Sequence, residues 1–240
     1  MRFHIISIFP DIFDSYLNES IVGRAVKNKK VVIKFYNPRD YVKNNKNKTG
    51  YKPIDDKPYG GGPGMVMRAE PILKAVEAAL RTITNYELRI KKLKTKNYKL
   101  KTIIINFIPS AEKFTTTFAK KVSKKYTDII LICGRYEGID ARVDKILKTK
   151  KISIGDYVLT GGELPAMILI DCISRQIPGV LGKYESLEEE RVSTSEVYTR
   201  PEVLKYPFGK AQDKKSKNYK VPKVLLSGNH KKIEEWKLKK

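Results

Sequence analysis

Two short strand-like runs in the middle of the chain each end in a glycine-bearing polar turn that opens a helix. This repeated unit constrains the fold more than any other feature. The first run, Asp128 to Cys133 (DIILIC), is short, unbroken and apolar, the pattern of a strand buried on both faces of a parallel sheet. GRYEGID then turns the chain, and Asp140 has the side chain of an N-cap for ARVDKILK. The second run, Lys151 to Leu159 (KISIGDYVL), reads as another strand. TGGELP breaks it with two glycines before Pro165, which suits the first turn of a helix. That helix, AMILIDCISRQI, is apolar on nearly all sides, so it needs two covers: its own sheet and a partner subunit.

The rest of the first 177 residues extends the alternation. Arg2 to Phe9 (RFHIISIF) is a strand expected at the edge of the core, stopped by Pro10 and Asp11, which start a short helix, DIFDSYLNES. Val31 to Tyr36 and Thr102 to Ile108 are further strands. Ala69 to Leu80 is a helix with Ile72, Leu73, Val76 and Leu80 on one face, and AEKFTTTFAKKVSKKY is another. Strands alternating with helices predict a parallel α/β sheet. His4, inside an apolar strand, reads as a core residue, as do Cys133 and Cys172. No spacing suits zinc, and a reducing cytoplasm fits the cysteines. No apolar stretch approaches the roughly 20 residues that span a membrane, and the N-terminus has no signal-peptide pattern, so no membrane partner is expected.

Glycines at strand ends let the backbone come close to a ligand, and free N–H and C=O groups can then read a polar heterocycle. Gly134, Gly138, Gly155, Gly161 and Gly162 converge on one pocket if the two strands are neighbours. Arg135, Glu137, Glu163 and Arg175 accompany them. Upstream, DDKPYGGGPGM cannot be regular structure. It is neither a P-loop, since no GK[ST] follows, nor a dinucleotide fingerprint. A formal charge of +23 points to a polyanionic partner, although Lys-rich coding bias also produces basic proteins. Part of the charge sits in Lys43 to Lys52, a basic loop, and in Arg89 to Lys101, read as a solvated excursion within a Lys-rich insertion at about 84–101. After Gly182 the composition turns charged and poorly apolar. The expected layout is a domain over 1–181, a linker over 182–199, and a short basic C-terminal region over 200–240 with a second Lys-rich insertion, Lys210 to Lys220.

GRYEGID, SIGDYVLTGGELPAM, RQIPGVLG, YTRPEV and VLLSGNH, with PYGGGPGM upstream, resemble the bacterial tRNA (guanine-N1)-methyltransferases of the knotted SPOUT class, in order from Met1 to about Trp236. The resemblance implies a SPOUT-type parallel α/β sheet with a deep C-terminal trefoil knot. It also implies a small basic helical appendage, here truncated relative to the family. The implied reaction is methylation of N1 of guanosine 37 in tRNA, immediately 3′ of the anticodon, by S-adenosylmethionine. The implied partners are tRNA and a second copy of the chain, in a homodimer whose active site is shared across subunits. The cofactor residues it implies are Pro63 and Gly64; Phe107 and Pro109; Gly134, Tyr136 and Gly138; and Ile154, Gly155, Tyr157, Val158, Leu159, Gly161, Gly162 and Pro165. Arg39 and Asp40 lie on a turn that is near substrate in the family. Glu137 is implied to be functional, with magnesium as an optional companion, although no metal-ligand spacing is visible.

N1 of guanine carries a proton at neutral pH, so methylation needs a base, and negative charge then develops on O6. Arg175 matches the family's functional arginine, and its fork of donors could meet O6; capping a helix C-terminus is the alternative. The family's linker aspartate aligns with Glu190, and Glu189 is the reserve. Two other readings stay open: a non-catalytic RNA-binding protein of the same fold, and a knotted methyltransferase acting on ribosomal RNA. YTRPEV and the SGNH motif speak for the tRNA enzyme.

Overall fold

A computed structural model describes residues 1–42, 52–92, 100–181, 196–206 and 217–238. In chain order its elements are β1 (Arg2–Ile6), a 3-10 turn (Pro10–Phe13), α1 (Asp14–Leu17), α2 (Ser20–Lys27), β2 (Val32–Tyr36) and a second 3-10 turn (Pro38–Tyr41). Then follow β3 (Asp55–Asp56), β4 (Val66–Met67), α3 (Ala69–Lys92), β5 (Thr102–Phe107), α4 (Thr116–Lys125), β6 (Asp128–Ile132), α5 (Arg142–Leu147), β7 (Lys150–Ile152) and α6 (Glu163–Arg175). These belong to a unit spanning Met1–Leu181. A second unit, Gly182–Lys240, holds β8 (Val203–Tyr206), β9 (Lys217–Lys220), α7 (Lys223–Leu226) and α8 (His230–Leu238).

The first unit is built on a five-stranded sheet of order β2-β1-β6-β5-β7 in which every neighbouring pair is parallel. The pleat sends alternate residues to opposite faces. Phe3, Ile5, Ile129 and Leu131 meet α2, α4 and α6 through Val22, Ala25, Val122, Leu169 and Ile173. Ile6, Ile130 and Ile132 meet α3 and α5 through Ile72, Val76, Ala79 and Val143. All of β6 is buried, as its unbroken apolar sequence requires.

Several expected boundaries are corrected. The first strand is not at an edge: β1 pairs with both β2 and β6. The run from Lys151 to Leu159 is a strand only as far as Ile152, because the Ser153 hydroxyl donates to the Gly155 carbonyl and the chain turns there. The helix from Ala69 continues to Lys92, so the start of the supposed insertion is helical; residues 93–99 lie outside the described residues. Asp140 caps α5 from one residue further out than assumed, its Oδ1 accepting the Arg142 N–H at 2.9 Å. The C-terminal unit contains an antiparallel hairpin, β8 with β9, ahead of its two short helices, whereas helices alone were expected. The basic loop at 43–51, most of the linker (182–195) and residues 207–216 also lie outside the described residues.

His4 is a core residue, and its surroundings explain how a polar side chain is buried there. Asp128, at the amino end of β6, is fully buried and takes Arg2 Nε and Nη2 at 2.6 Å each, His4 Nε2 at 3.1 Å and the Thr127 hydroxyl at 2.8 Å. A carboxylate only accepts, so His4 Nε2 carries the proton there. In the neutral imidazole, Nδ1 accepts from the Tyr36 hydroxyl at 3.1 Å. Burial alone would raise the Asp128 carboxyl. The hydrogen bonds from His4, Arg2 and Thr127 outweigh it and hold the pKa at about 2, against an ordinary 3.8.

Candidate active site

Parallel strands put their carboxyl ends on one side, and open α/β sheets bind ligands in the crevice beyond those ends. The neighbouring strands β6, β5 and β7 deliver three loops there. The loop after β6 bends through left-handed backbone at Tyr136 (φ 60°) and Gly138 (φ 123°). The glycine-rich segment before β4 is clipped to it: Glu137 N–H donates to the Met65 carbonyl at 3.0 Å, Met67 N–H to Gly138 at 2.9 Å, and Asp140 N–H to Met67 at 3.0 Å. A Cβ on Gly64 would stand 2.5 Å from Glu137 Cγ, so the two predicted stretches do meet at these residues.

The loop entering α6 closes on the same place. Gly162 N–H donates to the Gly134 carbonyl at 2.9 Å, and Arg135 pairs with Gly161 in an antiparallel bridge. A Cβ on Gly162 would sit 2.6 Å from Cys133 Cα, and one on Gly161 would sit 2.4 Å from Arg135 Nε. Gly162 therefore lets one backbone segment pass against another, and Gly161 leaves room for the Arg135 and Glu163 side chains. Burial pushes the pKa of the adjacent Cys133 thiol well up, which keeps it a neutral core group.

The remaining predicted cofactor residues distribute around this junction. Phe107 ends β5 half-buried, Pro109 is exposed in the next turn, and Pro165 is buried in the first turn of α6. Pro63 and Gly64 are exposed. Tyr157, Val158 and Leu159 follow the Gly155 turn, and Val158 is 81% exposed. Ile154, Tyr157 and Leu159 also line a groove of 680 Å³ whose other walls are Tyr16 and the outer face of α6, including Leu164, Ile168 and Asp171. Tyr16 donates to Asp171 across it. That bond, with some burial, pushes the Tyr16 pKa up to about 12.

Arg175 does not lie at the junction of the 133–140 and 160–163 loops. It is the last residue of the 13-residue α6, whose first residue is at the junction, and a rise of about 1.5 Å per residue puts roughly 18 Å between them. Glu190 and Glu189 lie outside the described residues. Arg39 donates to the Lys52 carbonyl at 3.1 Å and Asp40 is exposed. Sequence reasoning missed Ser7 and Met67 altogether. Ser7 donates to Glu163 at 2.8 Å, and the Arg135 N–H donates to Met67 Sδ at 3.2 Å. Among the described residues no three His, Cys, Asp or Glu side chains gather as metal ligands, and no helix is long and apolar enough to cross a membrane.

A parallel sheet covered by helices on both faces, with glycine-tightened loops at its carboxyl edge, defines an α/β protein without a Rossmann fingerprint. A family model described as tRNA (Guanine-1)-methyltransferase TrmD matches residues 1–240, and the chain belongs to that family. Among its relatives is a tRNA (guanine-N(1)-)-methyltransferase of Clostridioides difficile (strain 630), 46% identical over 238 residues, which cover 99% of this chain and 90% of the relative. One of Buchnera aphidicola subsp. Acyrthosiphon pisum is 40% identical, with 99% and 88% covered. The crystal structure of a tRNA (m1G37) methyltransferase from Aquifex aeolicus superposes with a TM-score of 0.68 at 37% identity, covering 99% of this chain and 88% of that one. Methyltransferases of this family take their methyl group from S-adenosylmethionine.

Proposed function

We propose that this chain transfers the methyl group of S-adenosylmethionine to N1 of guanosine 37 in tRNA. The observation that carries the reading is the junction of the 133–140 and 160–163 loops with the glycine-rich segment, in a chain that matches the methyltransferase family over its full length. The cradle suits the donor chemically. Ile154, Leu159 and Phe107 offer apolar surface for adenine, the backbone at Gly134, Gly155 and Gly161 offers N–H and C=O groups for its edge, and Tyr136 and Glu137 face the polar remainder. Bound there, the donor supplies an electrophilic methyl group. Pro63, Gly64, Pro109, Gly138, Tyr157, Val158, Gly162 and Pro165 complete the proposed surround.

The chain's own chemistry is proton and charge handling. Glu190, with Glu189 in reserve, takes the N1 proton, and Arg175 donates to O6 as negative charge develops there. Arg175 stands roughly 18 Å along α6 from the junction of the 133–140 and 160–163 loops of its own chain, and we assign the working site to the loops of one subunit and the arginine of another. A second copy is the occupant we assign to the outer face of α6, where Leu164 and Ile168 are exposed beside the loops. We extend the reading to a trefoil-knotted chain, by membership of the family, with the 160–163 loop paired against 133–135. The unit from Gly182 onward reads as a linker (182–199) followed by a basic tRNA-binding region (200–240). Among the described residues no three His, Cys, Asp or Glu side chains form a cage for magnesium, and Glu137 has no companion set there.

The test is methyl transfer from labelled S-adenosylmethionine to tRNA transcripts carrying G or A immediately 3′ of the anticodon. Transfer to the G transcript alone is expected, with binding that weakens steeply as salt rises. Equal labelling of both transcripts, or of neither, would refute the reading.

A further inference from the structure

We propose that Glu163, Ser7 and Arg135 form a buried positioning clasp that fixes the spacing of the loops proposed above to hold the methyl donor, a role that rests on that reading. Glu163 is only 2% exposed in the first turn of α6. Its Oε1 accepts the Ser7 hydroxyl at 2.8 Å, from the loop after β1, and its Oε2 lies 2.9 Å from Arg135 Nε, in the loop after β6. One carboxylate thus joins three segments at the carboxyl edge of the sheet. The guanidinium of Arg135 is held further by the Phe9 ring, 4.8 Å away, and by the Thr160 carbonyl at 3.4 Å.

Physical chemistry gives this acid few other uses. A buried carboxylate costs free energy unless it is paired, and an apolar residue would fill the same space without that cost. What the charge adds is a fixed distance between segments distant in sequence. The Arg135 backbone also pairs with Gly161, so displacing the guanidinium displaces the peptides on either side of it, at Gly134 and Tyr136. The clasp depends on Gly161 as well, since a Cβ there would stand 2.6 Å from Glu163 Oε2. The Arg135–Glu163 contact is short, yet Nε and Oε2 do not meet hydrogen-bond geometry, and neither has another partner among the described residues. Charge attraction rather than a directed bond holds the pair, which leaves room for it to tighten when the loops close on a ligand. The role needs no contact with the donor. Glu163 acts through Arg135 and Ser7.

Calorimetry with S-adenosylhomocysteine as the probe tests this, alongside tRNA filter binding and thermal melting of the full chain. Glu163→Gln is expected to weaken S-adenosylhomocysteine binding about tenfold, as for coupled members of one network, while tRNA affinity stays within about twofold. The Glu163→Gln/Arg135→Gln double variant should lose no more than Glu163→Gln alone. Ser7→Ala and Arg135→Gln, which leave the carboxylate in place, should weaken binding in the same direction and decide the matter if Glu163→Gln does not fold. Folded variants that bind the probe like wild type, parallel losses of probe and tRNA, or additive losses in the double variant would overturn the clasp. A wild type that binds no S-adenosylhomocysteine would instead overturn the cofactor reading, and the clasp with it.

Discussion

Arg175→Ala is expected to lower methyl transfer by about 100- to 1,000-fold, the cost typical of removing one donor to a developing oxyanion, while S-adenosylhomocysteine still binds. Both parts rest on position: Arg175 stands at the far end of the 13-residue α6 from the junction of the 133–140 and 160–163 loops of its own chain. The same position predicts complementation. Arg175→Ala co-expressed with a cofactor-loop variant, Gly134→Val, under two different tags should give heterodimers in which both defects fall in one site. The other site would then be intact, restoring about half of the wild-type rate per dimer. Glu190→Gln should be as inactive as Arg175→Ala; if it is fully active, the base is Glu189 or another group. Heterodimers as inactive as Arg175→Ala alone would place the arginine and the loops in one chain and refute the shared site.

Asp128→Ala is expected to destabilise the chain by about 3–5 kcal/mol, because it leaves the Arg2 guanidinium without its buried counter-charge and His4 Nε2 without its acceptor. For a chain of this size the melting temperature should fall on the order of 10 °C. Asp128 lies at the amino end of β6, opposite the loops, so S-adenosylhomocysteine affinity of the folded fraction should not change. Acid tests the same cluster without mutation. The folded pKa of about 2 is below the ordinary 3.8, so the carboxylate's contribution is fully present above about pH 4 and is lost as pH falls towards 2. Its size is on the order of 2 kcal/mol. Wild type should therefore lose stability through that window with a steeper slope than Asp128→Asn, as read by melting curves at pH 2, 3 and 4. Identical slopes would mean that another group carries the acid sensitivity.

The fold was legible where hydrophobic pattern alone decides structure. DIILIC is buried on both faces and could not easily be anything but an inner strand, and the alternation of strands with amphipathic helices settled the parallel sheet. Strand order was not legible, because pairing is a long-range choice. Nothing in RFHIISIF tells that β1 lies between β2 and β6 rather than at an edge. Local polarity misled at KISIGDYVL, where apolar residues continue past the Ser153 turn because they face the α6 groove rather than a sheet. In the site, the glycines announced close backbone approach. Pattern could not say that Gly162 makes room for the Cys133 backbone. Ser7 escaped because a serine next to a strand end is common, and its meaning comes only from Glu163, 156 residues away.

The measurement that bears most directly on the whole account is the identity of the methylated atom. A tRNA transcript with G immediately 3′ of the anticodon, incubated with the protein and labelled S-adenosylmethionine, would be digested to nucleosides and resolved by mass spectrometry. The account predicts that the label is recovered as 1-methylguanosine, and that it disappears when that G is replaced. Label on another atom of guanine, on ribose or on another nucleoside would contradict it.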